Sequence, residues 1–419
     1  MADHFCREHA EELDRADPLA GFRDRFVLPE PDLRYLDGNS LGRLPRATVD
    51  RLATVVREEW GRGLIRSWTS WMSLCRDVGD LIATAVVGAR PGEVVVSDST
   101  TVNLYKLAAA ALDARPGRTV VLATADEFPT DRYVLQGLCS ARGLALREVE
   151  SDIDAGVSVA SVRAALDRSV ALVCLSHVAY RSGALADLPA ITAAAHEAGA
   201  LVLWDLSHSG GSVPVDLAGA GADLAVGCTY KYLNGGPGAP AYLYVRTDLQ
   251  DRLRQPVQGW FGTVDQFGMG PAYEPAAGID RFLVGTPPVL GMAAVQEGVR
   301  LTAEAGIDRL RDKGVAMTSY LVSLADEWLA PLGFRLASPR DPALRGSHVS
   351  LYHPQAWQVS QAMVDRGVVP DYRTPDRLRL GPAPLTSRFV DVHDALATAR
   401  SIVLAGEHLG YPPEPAGVT

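Results

Sequence analysis

Lysine is almost absent from this chain. Of 40 Lys+Arg in 419 residues, only Lys106, Lys231 and Lys313 are lysine, so 40 − 3 = 37 are arginine. Wherever positive charge alone suffices, the sequence uses a guanidinium. A retained lysine therefore asks for a chemical reason, because a primary amine forms covalent adducts with aldehydes and a guanidinium does not. Cysteine is also sparse. Cys6, Cys75, Cys139, Cys174 and Cys228 are scattered, odd in number and free of any C-x-x-C pair. That pattern argues against a disulfide framework or a zinc site and fits reduced thiols in the cytoplasm; no metal is expected. No apolar run approaches the ~18–20 residues of a membrane span. The polar start MADHFCREHAEELDRADPLA lacks the apolar centre of a secretory signal. The net charge of −10 weighs against nucleic acid and anionic membranes as partners. There is no internal repeat and no low-complexity block, and the tail GYPPEPAGVT reads as loose.

What is present is an alternation of apolar and helical segments. Candidate strands are 94–97, 119–123, 170–175, 200–204, 224–228 and 241–245. Between them lie helical stretches at 102–114, 132–145, 161–167 and 188–199. Strands of continuous Val, Leu, Ile and Ala are buried on both faces. Alternation with helices predicts an α/β sandwich with a mostly parallel sheet. After about residue 290 the pattern changes. Helices over 291–305 and 307–330 precede short strands near 335–338, 348–352 and 377–381, which reads as a smaller α+β domain. The expected organisation is an N-terminal arm (1–45) packed on the small domain, a large domain (46–290) and a small C-terminal domain (291–419).

In parallel sheets ligands lie at the carboxyl ends of the strands. The most informative such ends are in LWDLSHSGGSVPVDLAGAGADLAVGCTYKYLNGGPGAP, where one strand delivers Asp205 and the next delivers Thr229, Tyr230 and Lys231 ahead of a Gly-rich turn. A lysine amine and a strand-end carboxylate suit pyridoxal 5'-phosphate (PLP). Its aldehyde condenses with the amine, and its pyridine nitrogen stays protonated beside a carboxylate. His208 lies three residues beyond Asp205.

The other strand ends supply further candidates. Ser99, Thr100 and Thr101 precede a helix, whose N-terminus favours a phosphate; an ordinary N-cap is the competing reading. Phe128 and Asp131, in DEFPTDRYV, offer a stacking ring and a carboxylate, and Ser176 ends the 170–175 strand. Trp260 (QGWFG) and Thr286 (FLVGTPPVLG) sit in Gly/Pro-rich loops of the kind that form lids or interfaces. Arg379, in RLRLGPAPL, suits a bidentate carboxylate clamp, although 37 arginines dilute that inference. Lys106 is the rival amine, adding charge beside the phosphate seat. Lys313, in LRDKGV, reads as a solvated helix residue.

These motifs resemble the kynureninases, a PLP-dependent family of the aminotransferase class V superfamily with fold type I, which implies an α/β large domain with a mostly parallel seven-stranded sheet sandwiched by helices and a smaller α+β domain. YLDGNSLGRLP, LIRSW, VVVSDSTTVNLYKL, DEFPTDRYVLQGL, LSHVAYRSGALADL, WDLSHSGGSVPVDL, GCTYKYLNGGPGAP, GWFG, RFLVGTPPVL and RLRLGPAPL follow in family order over nearly the whole chain. The resemblance implies that Lys231 carries PLP, with Lys231, Asp205 and Tyr230 catalytic. It places Asp205 and His208 at the pyridine side, with Asp205 on the nitrogen. Thr100 and Thr101, helped by Tyr230, hold the phosphate; Phe128 stacks on the ring; Asp131 and Ser176 add contacts. Trp260 and Thr286 come from the partner subunit of a homodimer, and Arg379 with Ser40 binds the substrate carboxylate. The implied reaction is hydrolytic Cβ–Cγ cleavage of L-kynurenine, 3-hydroxykynurenine or a ring-substituted analogue to an anthranilate and L-alanine. One departure stands out: Thr263 follows GWFG where the family usually has His, which leaves the choice of aryl group open.

Three alternatives share parts of this pattern. A PLP-dependent aminotransferase would use every cofactor contact. A cysteine desulfurase needs a late persulfide-forming Cys, and none follows Cys228. A non-enzymatic PLP-fold protein has no reason to keep Lys231 and Asp205.

Overall fold

The apolar segments form one seven-stranded sheet in the computed structural model, which describes residues 4–414. Across the sheet the strands run Val94–Val96, Tyr242–Val245, Leu224–Gly227, Leu201–Asp205, Val170–Ser176, Val120–Thr124 and Ala145–Val149. Tyr242–Val245 is antiparallel to both neighbours, and the other adjacent pairs are parallel. The inner strands are buried along essentially their full length. Helices Leu74–Ala85, Thr100–Asp113 and Leu188–Glu197 cover the faces with small and aliphatic side chains. The fold is the mostly parallel α/β sandwich expected from the sequence.

One strand escapes the pattern. Ala145–Val149 is the sheet edge, and its sequence ALREV carries two charges and is mostly accessible. Charged, short edge strands block edge-to-edge pairing, but they lack the apolar run by which the inner strands are read. The helix expected over 132–145 instead spans Pro129–Arg142, leaving Ala145 to the sheet.

A second apolar core lies around a four-stranded antiparallel sheet, in the order Asp371–Arg373, Arg377–Leu380, Val349–Tyr352 and Arg335–Leu336. Helices Ile307–Leu324, Ala356–Asp365 and Phe389–Ala405 pack on it through Leu321, Val359, Met363 and Leu396. The N-terminal segment joins this core. Ala10 and Leu36 are buried within it, and Arg34–Tyr35 pairs in parallel with Val368–Val369. Helix Val289–Ala305, by contrast, gives Met292, Val295 and Val299 to the core of the large sheet.

Two sequence readings are corrected here. Lys313 is not solvated: it is buried and forms an ion pair of 2.6 Å with buried Asp17. The partner lies in the N-terminal arm, so helix periodicity gave no sign of it. The tail is not wholly loose either. Tyr411 donates its hydroxyl to Asp365 and accepts a hydrogen bond from Gln358 at its carbonyl; residues 415–419 lie outside the described part. No helix among the described residues is long and apolar enough to cross a membrane.

Removing one partner of a buried ion pair leaves an uncompensated charge. Lys313→Met is expected to cost about 3 kcal/mol in urea unfolding, with most of that recovered when Asp17→Leu is added.

Candidate active site

The parallel register builds the site. Ser176 pairs with Asp205, and Asp205 with Val226, so three strand ends lie side by side. Beyond Gly227 the chain turns through Thr229, Tyr230 and Lys231. Thr229 Oγ1 donates to the Pro240 carbonyl at 2.7 Å, and Gly235 N donates back to the Thr229 carbonyl at 2.9 Å. These bonds close the Gly-rich turn and aim Lys231 across the strand ends. Lys231 Nζ lies 3.1 Å from His208 Nε2 and 6.0 Å from the ring centroids of both Phe128 and Tyr230. Burial depresses the Lys231 pKa below the ordinary lysine value.

Carboxylates gather beside the lysine. Asp205 Oδ1 accepts from Ser207 N at 2.8 Å and Ser207 Oγ at 2.6 Å, which fixes its orientation. Asp131, buried at the start of helix Pro129–Arg142, lies against Asp205. Burial pushes the Asp131 pKa well up, and the charges of Asp205 and Glu127 push it further. Asp131 Oδ2 has no donor of its own among the described residues. Glu127 accepts from Ser176 N at 3.0 Å, Ser176 Oγ at 2.5 Å and Thr124 Oγ1 at 3.0 Å. Burial raises its pKa to about 7 against those three hydrogen bonds. Glu127, next to Phe128, was not singled out by the sequence, because its partner Ser176 lies far away along the chain.

Thr100 and Thr101 open helix Thr100–Asp113 after Ser99, whose side chain accepts from Val102 N at 3.3 Å. Their own N–H groups stand in the first turn, where no intrahelical acceptor exists. Ser99 is thus the N-cap, and the two threonines present the helix terminus. Lys106 does not add charge to this seat, contrary to the sequence reading. It is buried and bonds Asp98 at 2.6 Å, Ser97 Oγ at 3.3 Å and the Phe282 carbonyl at 2.8 Å. It ties the strand end to the loop that leads to Thr286.

Ser40 and Arg379 are brought together from opposite ends of the chain. Arg379 is buried. It donates to Ser40 Oγ at 2.8 Å and to the Tyr180 carbonyl at 2.6 Å, and it pairs with Asp371. The loop carrying Ser40 is pinned to the lysine turn, because Gly42 N donates to the Tyr230 carbonyl at 2.8 Å. A Cβ on Gly42 would lie 2.2 Å from the Lys231 carbonyl oxygen, so only glycine permits this approach. Arg373, which the sequence did not single out, pairs with the same Asp371 at 2.9 Å and contributes to the positive field at Lys231 and His208.

Trp260 and Thr286 are not joined to Lys231 within the chain. Trp260 packs edge-on against Trp68 and Phe261, and Thr286 is exposed. Thr263 closes the following loop: its hydroxyl donates to the Glu274 carbonyl at 2.8 Å. The exposed side chains of Val264, Phe267 and Met269 follow it.

The residues fit PLP on the chemistry of the donor set. An amine with depressed basicity, paired acidic carboxyls, a helix N-terminus with hydroxyls and an accessible aromatic ring surround one edge of the sheet. Among the described residues, no group of three or more His, Cys, Asp and Glu is placed to hold a metal ion.

Glu127 gives a pH prediction. Its folded pKa is raised from about 4.5 to about 7, so its ionisation disfavours the folded state, and its own contribution to stability falls across that interval. Glu127→Gln cannot ionise. Its stability relative to wild type is expected to improve by about 2–3 kcal/mol between pH 4.5 and 7, measured by chemical unfolding at each pH.

The chain is similar over nearly its whole length to known proteins. The aminotransferase class-V family model matches residues 34–348, and the kynureninase C-terminal domain model matches residues 310–398. The kynureninase of Pseudomonas fluorescens is 46% identical over 392 residues, covering 92% of both chains. That of Burkholderia pseudomallei (strain 1106a) is 46% identical over 405 residues, covering 95% of both. Among solved structures, a cysteine desulfurase from Thermococcus onnurineus NA1 superposes with a TM-score of 0.79 at 19% identity, over 94% of this chain and 98% of that one. The cystine lyase C-DES, solved with glycine covalently linked to its PLP cofactor, superposes with a TM-score of 0.78 at 18% identity, over 88% and 97%. At those identities the structures speak for the fold alone, but the near-full-length sequence likeness speaks for more: the chain belongs to the aminotransferase class-V family and, within it, to the kynureninases.

Proposed function

We propose that the protein hydrolyses the Cβ–Cγ bond of L-kynurenine, 3-hydroxykynurenine or a ring-substituted analogue, with PLP carried on Lys231. The observation that carries this reading is the convergence of Lys231, His208 and Asp205 at one sheet edge in a chain of this family. Bound PLP supplies an electron sink conjugated to the substrate amine. The chain's own residues do the rest. Lys231, its basicity lowered by burial, takes and returns the proton at the substrate Cα. Asp205, held by Ser207 and backed by Asp131, keeps a proton at the pyridine nitrogen. Thr100, Thr101 and Tyr230 hold the phosphate, Phe128 covers the ring, and Ser176 contacts the cofactor while its proton is committed to Glu127. Arg379 and Ser40 hold the substrate α-carboxylate. One water is consumed: its hydroxyl joins the aryl acyl carbon and its proton ends on alanine.

The reading includes a homodimer in the cytoplasm, with Trp260 and Thr286 reaching the phosphate of the partner site. Its support is a set of exposed apolar side chains. Trp60, Leu64 and Ile65 are 57–73% exposed, and Phe267 and Met269 are 64% and 76% exposed. Large apolar side chains this exposed are what a partner subunit would cover.

Two outcomes test the proposal. Lys231→Ala should abolish both the visible absorbance of the lysine-bound cofactor and the release of anthranilate and alanine from kynurenine, by at least about a thousandfold. Retained turnover would sink it, and formation of a transaminated product would favour the aminotransferase. Ile65→Asp is expected to convert a dimer to a monomer in sedimentation velocity and to weaken PLP retention on dialysis.

A further inference from the structure

His348 sits behind the site with no assigned role. It is fully buried, yet neither ring nitrogen makes a hydrogen bond of normal geometry among the described residues. A buried orphan imidazole is costly, so its persistence calls for a partner that is poised rather than absent. The ring is held firmly. Strand Val349–Tyr352 follows it, and the turn through Gly183 crowds it, since a Cβ on Gly183 (φ 72°) would lie 2.6 Å from the His348 carbonyl oxygen and 3.2 Å from Cδ2.

The groups facing His348 restrict what it does. The His208 ring lies 5.5 Å away, centroid to centroid, at a tilt of 58°. Two imidazoles joined by an ordinary N–H···N bond have centroids about 5 Å apart, so a small rotation completes the bond. Lys231, Arg379 and Arg373 all face the pair with positive charge, and the Ala179 backbone is the remaining polar neighbour. Burial and those cations hold both imidazoles neutral, so each offers one donor and one acceptor. His208 Nε2 already faces the Lys231 amine at 3.1 Å. To accept from that amine it must be unprotonated, which puts the His208 proton on Nδ1 and leaves that N–H to seek an acceptor.

We propose that His348 is a positioning residue for the Lys231 site: it accepts a hydrogen bond from His208 Nδ1 and so keeps the lone pair of His208 Nε2 turned toward Lys231. The orphaned nitrogens of His348, the near-bonding distance between the rings and the His208–Lys231 contact then form one chain. The proposal rests on Lys231 as the cofactor-bearing lysine.

The test is a pH titration of the lysine-bound cofactor absorbance in the holoenzyme, read without turnover. His348→Phe keeps a ring of similar size but removes the acceptor. It should lower the midpoint by about one pH unit, because the protonated lysine nitrogen loses its acceptor. His348→Gln, which restores an acceptor, should return most of the shift. In a His208→Gln background, His348→Phe should shift nothing further. An unchanged midpoint in His348→Phe, or an equal shift in both backgrounds, overturns the proposal. Absence of the band in the wild type would instead overturn the reading of Lys231. If His348→Phe does not fold, 15N-histidine-labelled wild-type holoenzyme decides: a proton on His208 Nδ1 supports the proposal, and one on Nε2 overturns it.

Discussion

The parallel pairing of three strands is the constraint on which the site depends. Ser176, Asp205 and Val226 stand abreast because their strands run the same way in matching register, with the third strand continuing one residue further to Gly227. A one-residue slip would turn Asp205 to the opposite face of the sheet. The strand interiors are apolar and buried on both faces, so register is set by packing and the chemistry is confined to the ends. There the helices begin, and their unpaired N–H groups provide the positive ends that a phosphate needs.

The cost of that arrangement is a concentration of buried ionisable groups. Glu127, Asp131 and Asp205 share one region with Lys231 and His208, while Asp37, Asp371, Arg373 and Arg379 share the next. Buried charges persist only when paired or hydrogen-bonded. Glu127 spends three donors on its carboxylate, and Asp37 is pushed up to about 7 by burial and by Asp371. These networks join the two cores. Arg379, on the small antiparallel sheet, is fastened to Tyr180 of the large unit and to Ser40 of the N-terminal segment. The site proposed for the substrate carboxylate is thus assembled from three separate parts of the chain, and its geometry follows from their packing.

Much of this was legible in the sequence, for identifiable reasons. The inner strands carry unbroken Val, Leu and Ala, which no surface element does. Lys231 stood out because lysine is rare here, and Asp205 because it ends the adjacent strand. The edge strand Ala145–Val149 carried no such signal, since protection of an edge requires charge. Lys313 was misread as solvated because its partner Asp17 is distant in sequence, and Lys106 was misread as charge for the phosphate seat because its ammonium is taken up by Asp98 and the distant Phe282 carbonyl.

The sequence by itself determined the apolar inner strands of the sheet and marked Lys231 and Asp205 as candidates, because periodicity and residue scarcity are properties of the linear chain. Only the tertiary structure decided that Glu127 backs Ser176, that Arg373 shares Asp371 with Arg379, and that His348 stands beside His208 with the Ala179 backbone as its other polar neighbour. Those facts are contacts between segments far apart in the chain. Burial and desolvation, which give them their energy, exist only once the two cores have closed around them.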